Sequence, residues 1–202
     1  MFDAKLRPLI DPPLNAAARG LHAAGISANM LTLAGLVLGL GGAASIAFGH
    51  IGPGLALIAA NRLFDGLDGA VARIAGKTDL GGYFDIVADF AFYVSIPLGF
   101  GILSPENTLP ALVLVASFVL TGVSFLAYAV IAAERGEATD AHGKKSFFYS
   151  TGLAEGAETI AVFAAMCVFP AWFAVLAYGY AALCVVTVFQ RSALAAIQFK
   201  QS

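Results

Sequence analysis

Charge is scarce in this chain. Lys, Arg, Asp and Glu together make up 12% of its 202 residues, against 59% hydrophobic residues, and the mean hydropathy is +0.84. A soluble globular domain of ordinary composition does not carry such values, so the chain is expected in a membrane. Basic residues are few as well: the formal net charge is −2 and no dense Lys/Arg stripe occurs, which excludes a nucleic-acid partner. Cysteine is limited to Cys167 and Cys184, both in apolar runs and without CxxC spacing, and these read as packing residues. His22, His50 and His142 are scattered outside the apolar interiors, which disfavours a zinc site. The opening "MFDAKLRPLIDPPLN" has acids and prolines where the apolar region of a signal peptide would stand, so no cleavable signal is expected.

What the chain has in abundance is apolar length. A bilayer core needs about 20 apolar residues per helix, and the sequence predicts an all-α integral membrane fold of six spans. They cover Asn29–His50, Ile51–Ala75, Leu80–Leu103, Thr108–Ala133, Tyr149–Phe169 and Pro170–Ala196. Lys5, Arg7 and Arg19 precede the first span, Arg73 and Lys77 lie at the second connection, and Arg135, Lys144 and Lys145 lie at the fourth. Arg191 and Lys200 lie near the end, and the first, third and fifth connections carry no Lys or Arg. Cytoplasmic flanks carry the excess of these residues, which places both termini in the cytoplasm.

Residues 1–28 form a separate juxtamembrane element, in which "LNAAARGLHAAG" reads as an amphipathic surface helix beginning after a helix-breaking "DPP". No internal repeat or low-complexity linker divides the chain. It reads as one membrane domain over 1–202, with a six-helix core over 29–196.

The stretch "NRLFDGLDGAVARIAGKTDLGGYFDIVADF" puts Asp65, Asp68, Asp85 and Asp89 inside this hydrocarbon-like sequence, while Asp79 falls in the polar turn. An ionised carboxylate at mid-membrane costs about 2.5–3.5 kcal/mol even on the lenient insertion scale, so the four are expected to converge on a shared cation. Spacings of three and four residues put each pair on one face of its helix. The short turn "AGKTD" predicts an antiparallel hairpin that brings the pairs to matched depth. Oxygen-only ligands suit Mg²⁺ or Mn²⁺, and four carboxylates suffice for two ions, the usual clamp for displacement at phosphorus. Structural pairing with buried cations would need more Lys and Arg than Arg62 and Arg73 supply. Arg62 reads as an ion-pair partner. Gly69, Gly81 and Gly82 are either openings for a bulky ligand or small-residue helix contacts. Arg73 reads as a phosphate clamp or as a snorkelling positive-inside residue.

These residues resemble the signature of the CDP-alcohol phosphotransferase family, D-x2-D-G-x2-A-R followed by G-x3-D-x3-D. Asp65, Asp68, Gly69, Ala72, Arg73, Gly81, Asp85 and Asp89 fill every fixed position. The resemblance implies transfer of a phosphatidyl group from CDP-diacylglycerol to the hydroxyl of a small polar alcohol, with release of CMP. It implies Asp65, Asp68, Asp85 and Asp89 as metal ligands and Asp89 also as general base. It further implies Gly69, Ala72, Arg73 and Gly81 at the nucleotide, a homodimer, and a cytoplasm-facing active site in a bacterial inner or cell membrane. "SANMLTLAG", from Ser27 to Gly35, is similar to the family's S-P-N-x-x-T opening with Ala28 in place of proline. That adds Asn29 as a nucleotide contact, whereas Thr32 fits ordinary hydroxyl packing better.

Lys144, Lys145 and Arg191 are the candidate acceptor anchors, because a phosphate monoester needs cations. Glu155 and Glu158, in "GLAEGAETI", could bind hydroxyls or an ammonium group, or pair with a buried cation. Relatives that use inositol phosphate tend to carry arginines here, and none falls between Lys145 and Arg191, which weakens a phosphorylated inositol as acceptor. Two rivals stand beside this reading. One reverses the roles, with a soluble CDP-alcohol donating to a lipid. The other is a divalent-cation or proton transporter, for which acids should be spread through the membrane depth rather than gathered toward its cytoplasmic half.

Overall fold

The structure, a computed structural model, describes residues 3–135, 154 and 156–200. Among these residues seven α-helices follow one another: α1 (Asp3–Ala23), α2 (Ala28–Ala47), α3 (Ile51–Ala75), α4 (Asp79–Leu103), α5 (Pro105–Glu134), α6 (Gly156–Val168) and α7 (Phe173–Phe199). A 3₁₀ turn at Pro170–Trp172 leads into α7. Among the described residues there is no strand.

Among the described residues four helical stretches are long and apolar enough to cross a membrane: α2, α4, α5 and the turn with α7. Their exposed residues include Leu33, Val37, Ile102, Val119, Val123 and Phe189. A soluble protein of this size does not leave so many large apolar side chains uncovered, and here they face hydrocarbon. Helix α3 is 25 residues long but carries Arg62, Asp65, Asp68 and Arg73, and α6 shows 13 residues. The expectation for the fifth span begins at Tyr149; residues 149–153 and 155 lie outside the described residues.

Local signals set the helix ends around the acidic hairpin. The Ser27 side chain caps α2 by accepting from the Met30 amide at 3.3 Å. Thr78 does the same for α4 through the Gly81 amide at 3.0 Å. Between α3 and α4 the chain turns at Gly76, whose φ of +95° is costly for any residue with a β-carbon. Asp79 begins α4, where its charge faces the positive end of the helix dipole.

One expectation needs correction. The "DPP" stretch does not break α1, which runs helical through Pro12 and Pro13. Both prolines are exposed, so water can take up the carbonyl acceptors they leave without an amide partner. The hairpin brings its four aspartates to one pocket, as the spacing predicts. Helices α3 and α4 are antiparallel neighbours in sequence, yet their close backbone contacts are with α2, which packs extensively on both, rather than with each other. The facing carboxylates account for this, because like charges across a tight helix interface would repel, and the opening between the helices becomes the site described below.

The main core starts at Phe92, three residues beyond Asp89 on α4. It is built from Ile58, Ile96, Phe92, Phe100, Phe163 and Phe173, all essentially inaccessible, and the Phe100 and Phe173 rings stack 4.7 Å apart. A smaller cluster of Ala18, Leu31, Ala70 and Val71, flanked by Leu14 and Leu21, seats α1 on α3. Leu14 rests at Gly66, where a β-carbon would stand 2.9 Å from its Cδ1. That contact braces α3 directly beside Asp65.

At Gly99 of α4 a β-carbon would stand 2.5 Å from the Ala43 carbonyl oxygen of α2. Gly99→Val is therefore expected to lower the thermal unfolding temperature in detergent, at a cost of about 1–3 kcal/mol. An unchanged melting temperature would mean that α2 and α4 are not pressed together there.

Candidate metal centre

Asp65 and Asp68 project from α3 and Asp85 and Asp89 from α4, and all four line one small pocket with Thr32, Asn61 and Arg62. Within it the carboxylates divide. Asp65, Asp68 and Asp85 each offer an oxygen within 4.8 Å of the others'. Asp68 is buried, Asp65 half-buried and Asp85 exposed. Asp89 stands outside this group, with both terminal nitrogens of Arg62 at 3.1 Å from its Oδ1. The same guanidinium reaches Asp65 Oδ2 more loosely, at 3.5 Å. The reading of Arg62 as an ion-pair partner therefore agrees with its geometry.

Two polar residues steady this arrangement. The Thr32 hydroxyl of α2 donates to Asp68 Oδ2 at 2.7 Å, fixing the most buried member of the trio. Asn61, itself buried, donates to the Gly35 carbonyl at 2.8 Å and accepts from Arg62 Nε at 2.7 Å. Sequence reasoning assigned Thr32 to packing and passed over Asn61. The available signal was that each is a polar side chain in an otherwise apolar helical run.

The trio opens into a larger cleft of about 710 Å³. Asp68 and Asp85 line it together with Asn29, Gly69, Ala72, Arg73 and Gly81. The Arg73 guanidinium lies over Gly69, 3.6 Å from where a β-carbon would stand. At Gly81 a β-carbon would crowd the Asn29 amide oxygen at 3.2 Å. Gly82 lines the cleft with open space beside it. Every residue read from the sequence as a nucleotide contact is thus gathered on one concave surface next to three carboxylates.

Of the acceptor candidates, Arg191 and Glu158 are among the described residues, and neither lines this cleft. Arg191 on α7 donates to the Thr121 carbonyl at 2.9 Å and to Ser124 Oγ at 2.7 Å, tying α7 to α5. Lys144, Lys145 and Glu155 lie outside the described residues, and Glu158 falls in the first turn of α6.

The donor set bears on which ion fits. Three carboxylate oxygens and a hydroxyl, with no imidazole or thiolate beside them among the described residues, suit a hard divalent cation. The residues present therefore fit a divalent ion.

Over residues 25–194 the chain matches the sequence pattern of CDP-alcohol phosphatidyltransferases. It belongs to the CDP-alcohol phosphatidyltransferase family. It is 44% identical to Inner membrane protein YnjF of Escherichia coli (strain K12) over 192 residues, covering 95% of this chain and 93% of that one. Its fold is similar to that of Mycobacterium tuberculosis phosphatidylinositol phosphate synthase (PgsA1) with CDP-DAG bound, with a TM-score of 0.64 and 25% identity. That superposition covers 88% of this chain and 90% of the synthase. The same synthase in complex with manganese and citrate gives a TM-score of 0.63 at 23% identity, covering 88% and 86% of the two chains. The protein is accordingly an integral membrane enzyme of the phosphatidyltransferase class, and the family signature coincides with the carboxylate pocket and its cleft.

Removing the Thr32 hydroxyl tests its hold on Asp68. Thr32→Val is expected to raise the divalent-ion concentration needed for half-maximal activity by about 10–100-fold. An unshifted metal requirement would assign Thr32 to packing after all.

Proposed function

We propose that this protein transfers a phosphatidyl group from CDP-diacylglycerol to the hydroxyl of a small polar alcohol, releasing CMP, as a step in phospholipid biosynthesis. The observation that carries the reading is the meeting of Asp65, Asp68 and Asp85 at the mouth of a cleft lined by the remaining signature residues. A groove of about 340 Å³ between α2 and α4, lined by Met30, Leu33, Leu36, Phe84 and Val87, shares Asn29 and Thr32 with that cleft. An apolar groove joined to the nucleotide side fits the acyl part of a lipid donor. It therefore favours CDP-diacylglycerol over the reversed scheme with a soluble CDP-alcohol.

In this proposal Asp65, Asp68, Asp85 and Asp89 hold two Mg²⁺ or Mn²⁺ ions. Such ions offset charge on the diphosphate and make CMP a better leaving group. Asn29, Gly69, Ala72, Arg73 and Gly81 seat the cytidine diphosphate, with Arg73 as its phosphate clamp. The acceptor oxygen bonds to the phosphorus that carries the diacylglycerol, and its proton passes to Asp89. The bond from that phosphorus to the oxygen bridging to CMP breaks. Lys144, Lys145 and Arg191 anchor the acceptor alcohol. A pocket of about 110 Å³ lies one turn beyond Asp89, lined by Phe90, Tyr93, Thr121 and Thr159, and it supports entry from the α5 and α7 side.

The proposed setting is a bacterial inner membrane, and the inner-membrane relative supports it. We read 1–202 as one membrane domain with a six-span core over 29–196 and residues 1–28 along the cytoplasmic surface. Both termini and the active site then face the cytoplasm, and the working unit is a homodimer. Support for this orientation is the restriction of Lys and Arg to alternate connections. The transporter reading gains nothing from the site, because the four carboxylates share one pocket instead of marking a path through the membrane.

The experiment is CMP release by the purified protein given CDP-diacylglycerol, Mg²⁺ or Mn²⁺, and glycerol 3-phosphate, inositol, inositol phosphate, serine or an aminoalcohol in turn. One acceptor is expected to raise CMP formation well above the acceptor-free rate, and Asp89→Asn to reduce it by about 10²–10⁴-fold. Full activity in that variant would remove the base, and no CMP with any acceptor would overturn the transfer.

A further inference from the structure

Tyr93 links the carboxylate pocket to the small pocket beyond it. It follows Asp89 by one turn on the same face of α4, and the guanidinium carbon of Arg62, which holds Asp89, lies 5.7 Å from the centre of its ring. The same residue lines the pocket of about 110 Å³, together with Phe90, Phe118, Thr121, Gly156 and Thr159. Its ring is packed among four others, with the centroids of Phe92, Phe118, Phe90 and Phe163 at 5.6, 6.2, 6.4 and 6.4 Å. Rings so packed give the hydroxyl at the tip a fixed position.

The hydroxyls around this pocket are not alike. Thr121 donates to the Ser117 carbonyl at 2.8 Å, and the Thr159 and Tyr180 hydroxyls share a hydrogen bond of 2.7 Å. None of the described residues gives a hydrogen bond to the Tyr93 hydroxyl or takes one from it. A β-carbon on Gly156 would stand 3.5 Å from this oxygen, so the glycine leaves the space beside it open. A phenol hydroxyl set among rings ordinarily has a partner. Among the described residues no Lys, Arg, Asp or Glu lines the pocket, so what the lining matches is a neutral hydroxyl and the carbon that bears it. We propose that this pocket holds the uncharged end of the acceptor alcohol, with Tyr93 Oη bonded to a second hydroxyl next to the one that attacks. The acceptor class is then a polyol, ahead of serine and the simple aminoalcohols. This rests on the transfer reading and names the substrate class of that site.

The test is steady-state transfer from CDP-diacylglycerol by the detergent-purified protein, with each polyol set against an analogue that lacks the neighbouring hydroxyl. Glycerol 3-phosphate is paired with 3-hydroxypropyl phosphate, and inositol and its phosphate with the corresponding deoxy compounds; serine and ethanolamine complete the panel. The wild type should favour the accepted polyol over its analogue by about tenfold or more in kcat/KM, the factor for one hydroxyl left without its hydrogen bond. Tyr93→Phe keeps the ring packing and should melt with the wild type. It should raise KM for the polyol by about tenfold, abolish the preference over the analogue, and leave KM for CDP-diacylglycerol within about threefold. Gly156→Ala fills the space beside the hydroxyl without a clash and should shift the acceptor KM in the same direction. A polyol preference that survives Tyr93→Phe, or serine or ethanolamine as the best acceptor, would overturn the proposal. The two failures are distinguishable: no CMP from any acceptor would remove the reaction and this subsite with it, whereas transfer indifferent to Tyr93→Phe would remove the subsite alone.

Discussion

Mutual repulsion among carboxylates facing one another inside a membrane protein governs much of this structure. Asp65 and Asp68 on one helix meet Asp85 and Asp89 on the next, in surroundings where uncompensated charge is costly. The helices respond by standing apart. Helix α2 packs on both and closes the back of the opening, using Gly35 and Gly39 to make room for Asn61 and Phe92. What would be a defect in a structural bundle becomes a concave, polar surface with charge left to neutralise.

The rest of the site follows from how that charge is shared. Arg62 meets Asp89 at 3.1 Å and Asp65 at 3.5 Å, and Asp65, Asp68 and Asp85 bring an oxygen each within the reach of one metal ion. A substrate with a diphosphate and lipid tails suits the surroundings. The cleft beside the trio has Arg73 and open backbone at Gly69 and Gly81, and the adjoining groove is apolar. The aromatic core backs directly onto this chemistry through Phe92, whose ring faces Arg62, and runs on to the stacked rings of Phe100 and Phe173.

Sequence carried the helices and the trio well, for identifiable reasons. The interval from Ile51 to Ala75 follows from a long, largely apolar run that ends at Gly76, and the expected start of the first span at Asn29 lies one residue inside α2. Three- and four-residue spacing brings the aspartates together because helical geometry is rigid. Where outcomes depended on partners distant in sequence, the reading fell short. Nothing in "AGKTD" says that α3 and α4 pack on α2 instead of on each other, since that turns on repulsion across the gap. The "DPP" stretch was judged by local propensity, but α1 stays helical because its prolines face outward and Leu14 to Leu21 dock on α3. Thr32 and Asn61 became legible only when the helices that hold Asp68 and Arg62 were in place. That Arg62 meets Asp89 more closely than Asp65 was likewise invisible in a motif that does not include Arg62.

The most direct measurement is thermal unfolding of the purified protein in detergent, with chelator or with millimolar Mn²⁺, compared between the wild type and a variant carrying Asp65→Asn, Asp68→Asn and Asp85→Asn. A ligand that binds the folded state raises its stability by mass action. If unneutralised carboxylates are the central constraint, Mn²⁺ raises the wild-type melting temperature clearly, while the variant shows no response and melts in chelator at or above the wild type. A wild type indifferent to Mn²⁺, or a variant that still responds to it, would contradict the account.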